Sequence, residues 1–117
     1  MTLQKSELES IMRRITEKLS SETNGNLRKI MLYGSYARGD FSENSDVDIM
    51  VLVDDPRPNR IYSIIRSDLN NLEDIFPIMI SCHFQNHDHF YNAMNSTSFY
   101  KNIEREGVVY YDSTARH

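Results

Sequence analysis

The sequence has a single cysteine, and it has no long hydrophobic run. Cys82 has no second cysteine with which to form an internal disulfide, which fits a reducing compartment. No apolar stretch approaches the roughly 18 residues that a membrane-spanning helix needs, and no hydrophobic signal-peptide segment follows Met1. We therefore expect a cytoplasmic protein that is neither secreted nor inserted in a membrane.

Basic residues are scarce relative to acidic ones. The chain has 13 Lys and Arg against 17 Asp and Glu, a formal net charge of −4, whereas a nucleic-acid-binding surface would be basic. Nucleic acid is therefore not an expected partner. Between residues 40 and 55 there are six acidic side chains and no Lys or Arg. That stretch is either an exposed loop with a solvated strand end or the mouth of a cation site, and Asp46 and Asp48 favour the second interpretation.

The length of 117 residues predicts a single domain, over residues 1–117, with one modest core. A chain this short has little material for a second substrate-binding lobe. A large substrate would then require a partner subunit, and we expect a homodimer or a complex with another protein. The order of apolar patterns predicts an α+β fold in which a mixed β-sheet packs against helices.

The boundaries of the elements follow from apolar periodicity and from turn residues. The first helix begins either at a capping box of Ser6 and Glu9 or nearer Thr2. Strands are expected at 27–33, 47–53, 78–84 and 108–111, the last at a sheet edge. A helical turn is expected at 35–38, and helices at about 59–74, 86–94 and 99–106, with Ser98 as the cap of the last one.

The most informative stretch joins the first two strands. One apolar run is followed by Gly34 and Ser35, and the next run opens with Asp46-Val47-Asp48-Ile49. Alternation along a strand places Asp46 and Asp48 on one face, roughly 6.6 Å apart. At an effective dielectric of about 20 their repulsion is on the order of 2.5 kcal/mol, and a divalent cation would reverse its sign. Mg²⁺ suits such a pair because it binds one or two carboxylates and shares substrate phosphates.

Gly34 and Ser35 have the properties of a phosphate-binding turn. Gly34 has no Cβ and is free in its choice of φ, and Ser35 contributes a hydroxyl donor. If Ser35 begins a short helix, backbone N–H groups also point at the anion.

Together these residues resemble the signature of the nucleotidyltransferases of the DNA polymerase beta superfamily. That signature is a hydrophobic residue, Gly-Ser, a spacer (here Tyr36 to Ser45) and then Asp-hydrophobic-Asp-hydrophobic. The fuller wording Gly-Ser-Tyr-Ala-Arg-Gly with Ser-Asp-Val-Asp is similar to the minimal nucleotidyltransferases, which are commonly encoded beside a helical HEPN-type partner. The motif covers residues 33–49, and the order of elements fits over most of the chain.

The resemblance implies the polymerase-beta-type nucleotidyltransferase fold, with the active site at the ends of the first two strands. It implies ATP as the substrate, Mg²⁺ or Mn²⁺ as the cofactor, and transfer of AMP to a hydroxyl of a partner macromolecule. The chain would be the antitoxin of a HEPN pair. Asp46 and Asp48 would be catalytic and bind the metal, and the nucleotide would be bound by Gly34, Ser35, Arg38 and Ser45. Arg38 has an alternative role, as a structural clamp paired with Asp40 or Glu43.

A third carboxylate, which the superfamily normally carries on the next strand, is missing from this sequence. The strand expected at 78–84 contains no Asp or Glu, and Ser81 or His83 occupies the position where the family has the acid. Glu73 and Asp74 lie just before that strand and are poor geometric substitutes. Two function classes therefore stay open. One is an enzyme that transfers an NMP group, and the other is a catalytically degenerate relative that binds nucleotide and partner without chemistry.

Overall fold

The computed structural model describes residues 2–114, in which helices and strands alternate except that the last two helices follow one another. The elements are α1 (Lys5–Glu22), β1 (Leu27–Tyr33), α2 (Ser35–Arg38), β2 (Val47–Val53), α3 (Tyr62–Ile75), β3 (Ile80–Asn86), α4 (His87–Asn92), α5 (Ser98–Glu106) and β4 (Val108–Asp112). Two 3₁₀ turns, Pro58–Ile61 and Met94–Ser96, precede α3 and α5. None of the helices within residues 2–114 is long and apolar enough to cross a membrane.

The four strands form one sheet in the order β3-β2-β1-β4. β1 pairs with β2 and with β4 in antiparallel orientation, whereas β2 and β3 are parallel and are joined by the crossover helix α3. The first two strands are therefore adjacent at the centre of the sheet, and β4 lies at an edge. The predicted α+β architecture, a mixed sheet packed against helices, is confirmed.

Both faces of the sheet are covered by helices. On one face the alternate residues of β1 and β2 pack with α1 and α3, in a cluster that includes Ile15, Ile30, Leu32, Ile49, Val51 and Ile65. On the other face Met31, Met50 and Leu52 form a second cluster with Phe90 of α4 and Ile103 of α5. Because both faces are buried, the central strands read as continuous apolar runs rather than as alternating ones.

The helix starts differ slightly from the sequence-based expectations. At α1 the Glu7 carboxylate accepts a hydrogen bond from the backbone N–H of Gln4 at 2.8 Å, so the predicted capping box of Ser6 and Glu9 is wrong. At α5 the hydroxyl of Thr97, and not that of Ser98, accepts from the N–H of Tyr100 at 2.9 Å. The observed caps are Gln4 for α1 and Thr97 for α5. Each precedes the predicted cap and has the extended backbone that a cap requires.

The third strand begins two residues later than expected, at Ile80, and extends to Asn86. The reason lies in its partner, since Ile80 pairs with Val47, the first residue of β2, and Asn86 pairs with Val53, the last. The shift by two residues preserves the face on which each side chain lies.

Candidate active site

The site is built where β1 ends and β2 begins. Tyr33, the last residue of β1, pairs with Asp48 in the sheet, and Gly34 follows immediately as the cap of α2. Gly34 has φ +78°, and a Cβ built on it would overlap Oδ2 of Asp48 and lie 3.2 Å from Cγ of the same residue. A side chain at Gly34 would therefore strain the backbone and displace the Asp48 carboxylate. The turn uses the freedom of φ that the sequence predicted for Gly34, because a φ of +78° is one that other residues rarely adopt.

The short helix α2 is held in place from outside the motif. The hydroxyl of Tyr36, a buried residue of α2, accepts a hydrogen bond from the N–H of Leu3 at 3.1 Å. The Tyr36 ring stacks on Phe41 with 4.4 Å between ring centroids and 9° between ring planes. Because α2 is fixed at its centre by these contacts, the turn at Gly34 is held in a defined position against β2.

Asp48 lies in an environment that opposes its ionisation. Burial in the site raises the pKa of the Asp48 carboxyl, and the neighbouring Asp46 carboxylate raises it further. His83 and Arg38 act in the opposite direction and lower that pKa, which places both within electrostatic range of Asp48. A half-buried carboxylate beside a second one, with few compensating charges, is an arrangement that a bound cation stabilises.

Arg38 makes the contacts of a clamp in this structure. Its Nε lies 3.2 Å from Oδ2 of Asp40, and its Nη1 lies 3.4 Å from Oε2 of Glu106 in α5. The expected partner Asp40 is therefore present, while the second partner is Glu106 instead of Glu43. Arg38 also lines a cavity of about 220 Å³ together with Tyr33 and Gly34.

Ser45 closes the loop that leads into the Asp pair. Its hydroxyl accepts a hydrogen bond from the N–H of Ser42 at 2.9 Å, and its own N–H donates to the carbonyl of Ser42 at 3.1 Å. Asp46 follows this loop directly, so the Ser42–Ser45 turn determines where the Asp46 carboxylate lies.

The third strand brings no carboxylate to the site. Ser81 pairs with Asp48 across the parallel ladder, and His83 pairs with Met50 one step further along the same face. Glu73 is engaged elsewhere, since its carboxylate accepts from the N–H of Ile80 at 2.8 Å. Over residues 2–114 no group of three or more His, Cys, Asp or Glu side chains is arranged to hold a metal ion.

The sequence profile of the family described as "Polymerase beta, Nucleotidyltransferase" matches residues 13–116 of the chain. The chain belongs to this family. The sheet with adjacent central strands and the Gly34–Asp48 contact between the two halves of the motif are thus features of a nucleotidyltransferase.

Two relatives come from Methanocaldococcus jannaschii. This nucleotidyltransferase is 30% identical over 103 residues to the "Putative protein adenylyltransferase MJ0604". The alignment covers 88% of this chain and 97% of the relative. It is 29% identical over 102 residues to the "Putative protein adenylyltransferase MJ0141", with 87% of this chain and 97% of the relative covered.

One solved structure is similar in fold. A chain of the "Crystal structure of the toxin-antitoxin with AMP-PNP" superposes with a TM-score of 0.52 at 20% sequence identity, over 96% of this chain and 76% of that chain. At this identity the likeness shows a shared fold. The family match over residues 13–116 confirms the expected polymerase-beta-type nucleotidyltransferase fold.

Sequence reasoning missed two contacts of this nucleotidyltransferase site. The overlap that a Cβ on Gly34 would make with Asp48 depends on the β1–β2 register, although Gly34 itself was recognised from the motif. The pairing of Arg38 with Glu106 joins residues 68 positions apart, and no local pattern signals it. Glu106 can be identified as a partner of Arg38 only from the packing of α5 beside α2.

Proposed function

We propose that this nucleotidyltransferase binds ATP with Mg²⁺ or Mn²⁺ and transfers AMP to a hydroxyl group of a partner protein. The single observation that carries the proposal is the contact between Gly34 and Asp48, which joins the phosphate turn to the metal-binding carboxylates. The names of the two M. jannaschii relatives support the reaction class, because both describe adenylyl transfer to protein.

The triphosphate would lie against the turn formed by Gly34 and Ser35. The absence of a side chain at Gly34 allows the backbone to approach the phosphate oxygens, and the Ser35 hydroxyl can donate to one of them. Arg38 lies within electrostatic range of Asp48 and has a half-exposed side chain. It can exchange its two carboxylate partners for a phosphate, because exposed ion pairs of this kind are weak.

The carboxylates of Asp46 and Asp48 fit one divalent cation. Burial and the neighbouring Asp46 carboxylate raise the pKa of Asp48 although His83 and Arg38 lower it, so a bound cation would add charge that the pair can accept. Mg²⁺ bound there would neutralise the pair and the triphosphate and would lower the pKa of the acceptor hydroxyl. Because β3 contributes no acid, a second ion would have to share these two residues.

In the proposed reaction the acceptor oxygen forms a bond to the α-phosphorus of ATP. The bond between the α-phosphorus and the oxygen that bridges to the β-phosphate breaks, and pyrophosphate leaves with the electron pair. The acceptor hydroxyl loses its proton to water, since no carboxylate on β3 is available to accept it. The chain's own residues hold the nucleotide in line with the acceptor and keep the two carboxylates at the reacting phosphate.

A second function is favoured by one specific observation. Ser81, which cannot bind a metal as a carboxylate does, pairs with Asp48, and the resemblance to the family implies a third acid at Ser81 or His83. The alternative is a degenerate nucleotidyltransferase that binds nucleotide and a partner protein without chemistry. In that case ATP binding would stabilise the complex with the partner, and pyrophosphate would not be released.

A helical HEPN-type protein encoded next to this chain is the proposed partner, and the pair would form a toxin–antitoxin system. Within residues 2–114 several large apolar side chains are exposed, among them Tyr62, Met79 and Phe99. A partner subunit, or a second copy in a homodimer, would bury these residues and present the acceptor hydroxyl.

The test is a labelling experiment with the purified chain, the product of the adjacent reading frame, and Mg²⁺ or Mn²⁺. With ATP labelled at the α-phosphate, label should move to the partner protein. With ATP labelled at the γ-phosphate it should not, because the β- and γ-phosphates leave as pyrophosphate. Transfer of γ-label would contradict the proposal. ATP binding without any transfer would establish the degenerate alternative. The Asp46→Asn, Asp48→Asn double variant is the control that should abolish transfer.

A further inference from the structure

The outer edge of β3 has backbone groups that the sheet does not use. The N–H of Val47 in β2 donates to the carbonyl of Met79 at 3.0 Å. In β3 the backbone N–H and C=O groups of the odd-numbered residues therefore point toward β2. The N–H and C=O groups of the even-numbered residues therefore point away from the sheet. Ile80 has its outward N–H bonded to Glu73. Cys82 and Phe84 have outward N–H and C=O groups without a hydrogen-bond partner among residues 2–114.

The exposure of Cys82 agrees with this arrangement. Its thiol is buried against the core, and burial raises the pKa of the thiol to about 12. The residue as a whole is only half-buried, however. The exposed part of Cys82 is therefore its backbone, on the free edge of the strand.

Glu73 occupies the outward N–H of Ile80 and Phe84 is 6% exposed, so the accessible part of this edge is centred on Cys82. The sequence of the strand has none of the features that usually prevent strand pairing. The strand Ile80–Asn86 contains no Lys, Arg, Asp, Glu or Pro, and its register with β2 is continuous from end to end. The opposite edge is different, because the pairing of β4 with β1 shifts between Ile30 and Met31, and β4 carries Asp112. Irregularity and charge of this kind disfavour the addition of another strand.

A groove runs along the free edge of β3. It encloses about 420 Å³ and is lined by the consecutive residues 82–85. An exposed aromatic side chain stands on each side of it, Tyr62 from α3 at 42% exposure and Phe99 from α5 at 50% exposure. Tyr62 packs edge-on against Phe84 on one face of the sheet, and Phe99 packs edge-on against Tyr33 on the other. The groove therefore offers a backbone edge between two apolar contacts.

We propose that an extended segment of the acceptor protein adds to this edge as a fifth strand and thereby brings its hydroxyl group to the Asp pair. This inference rests on the proposed function and specifies how the partner is recognised. A peptide strand is the ligand that matches donors and acceptors repeated at every second residue, about 6.8 Å apart. Side chains alternate along the added strand, so one set would contact Tyr62 and the other Phe99.

The position of the edge connects it to the active site. Ser81, the neighbour of Cys82, pairs directly with Asp48. A strand added to β3 would lie two strand spacings, about 10 Å, from β2, so its side chains on the Asp48 face can extend toward the reacting phosphate. Asp46, Asp48 and Glu73 lie at the Ile80 end of β3, outside the lining of the groove, and their charge favours a neutral or basic segment over an acidic one there.

The first experiment measures binding without ATP, so that it does not depend on catalysis. The probe is a library of ten-residue peptides with Ser, Thr or Tyr at the centre, screened against the full chain. Bound peptide should slow hydrogen exchange at the amides of Cys82 and Phe84 in the wild-type protein. The amides of Ser81 and His83, already bonded to β2, serve as internal controls and should not change. A library without any binder, or binders that leave the Cys82 and Phe84 amides unprotected, would overturn the proposal.

The second experiment removes one backbone donor. Cys82→Pro deletes the outward N–H at a position where an edge strand tolerates proline, and Cys82→Ala keeps that N–H while removing the thiol. We expect Cys82→Pro to bind the selected peptide about tenfold more weakly than Cys82→Ala. Equal affinities of the two folded variants would contradict strand addition. If Cys82→Pro does not fold, N-methylation of successive peptide amides gives the same information with wild-type protein. We expect N-methylation to weaken binding at every second amide of the peptide. An equal effect at every amide would contradict strand pairing.

Two outcomes separate this inference from the proposed function. Failure of peptide pairing together with normal Mg-ATP binding and AMP transfer would overturn the edge as the docking site and leave the reaction standing. Peptide pairing without AMP transfer would support the docking site and contradict the proposed enzymatic activity. A dimer of the chain that the Cys82→Pro variant dissociates and that excludes the peptide would assign the edge to a second copy, against the proposal.

Discussion

Gly34 fits against the carboxylate of Asp48 only because it has no side chain. Its φ of +78° is the left-handed conformation, and the space that a Cβ would need is taken by Oδ2 and Cγ of Asp48. The turn at Gly34 and the strand that carries the Asp pair are thus in direct contact. A change at Gly34 therefore affects both the turn and the position of the carboxylate.

Gly34→Ala should impair nucleotide and metal binding more than it impairs the fold. The matched control is Gly39→Ala, because Gly39 also has positive φ, +86°, but a Cβ there would meet nothing within 4 Å. Both variants place a side chain at positive φ, but the backbone strain is larger at Gly34, whose ψ of −158° only glycine adopts readily, than at Gly39, which has the αL conformation. Melting temperatures of the two variants therefore have to be compared alongside their ATP affinities. Calorimetry should show weaker Mg-ATP binding for Gly34→Ala alone. Equal losses in the two variants would mean that strain, and not contact with Asp48, is responsible.

Asp48→Asn should stabilise the metal-free protein at neutral pH. The fold raises the pKa of Asp48 above its ordinary value, so the ionised group is destabilising once the pH exceeds the folded-state pKa. The gain is at most about 1 kcal/mol, because water screens a half-buried carboxylate. The difference in melting temperature between variant and wild type in EDTA should be full at pH 7 and should vanish below the pKa of the unfolded carboxyl. A variant that is less stable than wild type at pH 7 would show that Asp48 has a stabilising partner.

Arg38→Ala should weaken ATP binding about tenfold, because a charge-assisted contact to phosphate would be lost. Its present partners, Asp40 and Glu106, are surface carboxylates, so the melting temperature should hardly change. Glu106→Gln is the control that removes the clamp partner and keeps Arg38 available. If both variants lower the melting temperature alike and leave ATP affinity intact, Arg38 is a structural clamp and not a phosphate ligand.

Ser81→Asp should raise the rate of AMP transfer. Ser81 pairs with Asp48 across a ladder in which neighbouring Cα atoms lie about 4.8 Å apart, so a carboxylate there would complete a three-acid site. The gain should appear in kcat more than in ATP affinity, since the added acid serves the acceptor hydroxyl. Ser81→Asn is the uncharged control of the same size, and His83→Asp tests the next position on the same face. If wild type transfers AMP rapidly and neither acid changes the rate, the third carboxylate comes from elsewhere, for example from a second subunit.

The sequence was sufficient for the sheet, the central motif and the missing acid on β3. These depend on local patterns: apolar runs in β1 and β2, Gly34 after a strand, and alternation that places Ser81 and His83 on the Asp48 face. What could not be predicted depends on contacts between distant residues. The start of β3 is determined by pairing with Val47, and the second partner of Arg38 is determined by the packing of α5. Neither leaves a signal in the nearby sequence.

The central claim is that Asp46 and Asp48 form a divalent-cation site beside the Gly34 turn. The most direct measurement is the melting temperature of wild type and of the Asp46→Asn, Asp48→Asn double variant, with and without Mn²⁺ or Mg²⁺. Because a ligand that binds the native state stabilises it, the cation should raise the melting temperature of wild type and leave that of the double variant unchanged. An equal rise in both proteins would contradict the claim, since the cation would then bind at other residues.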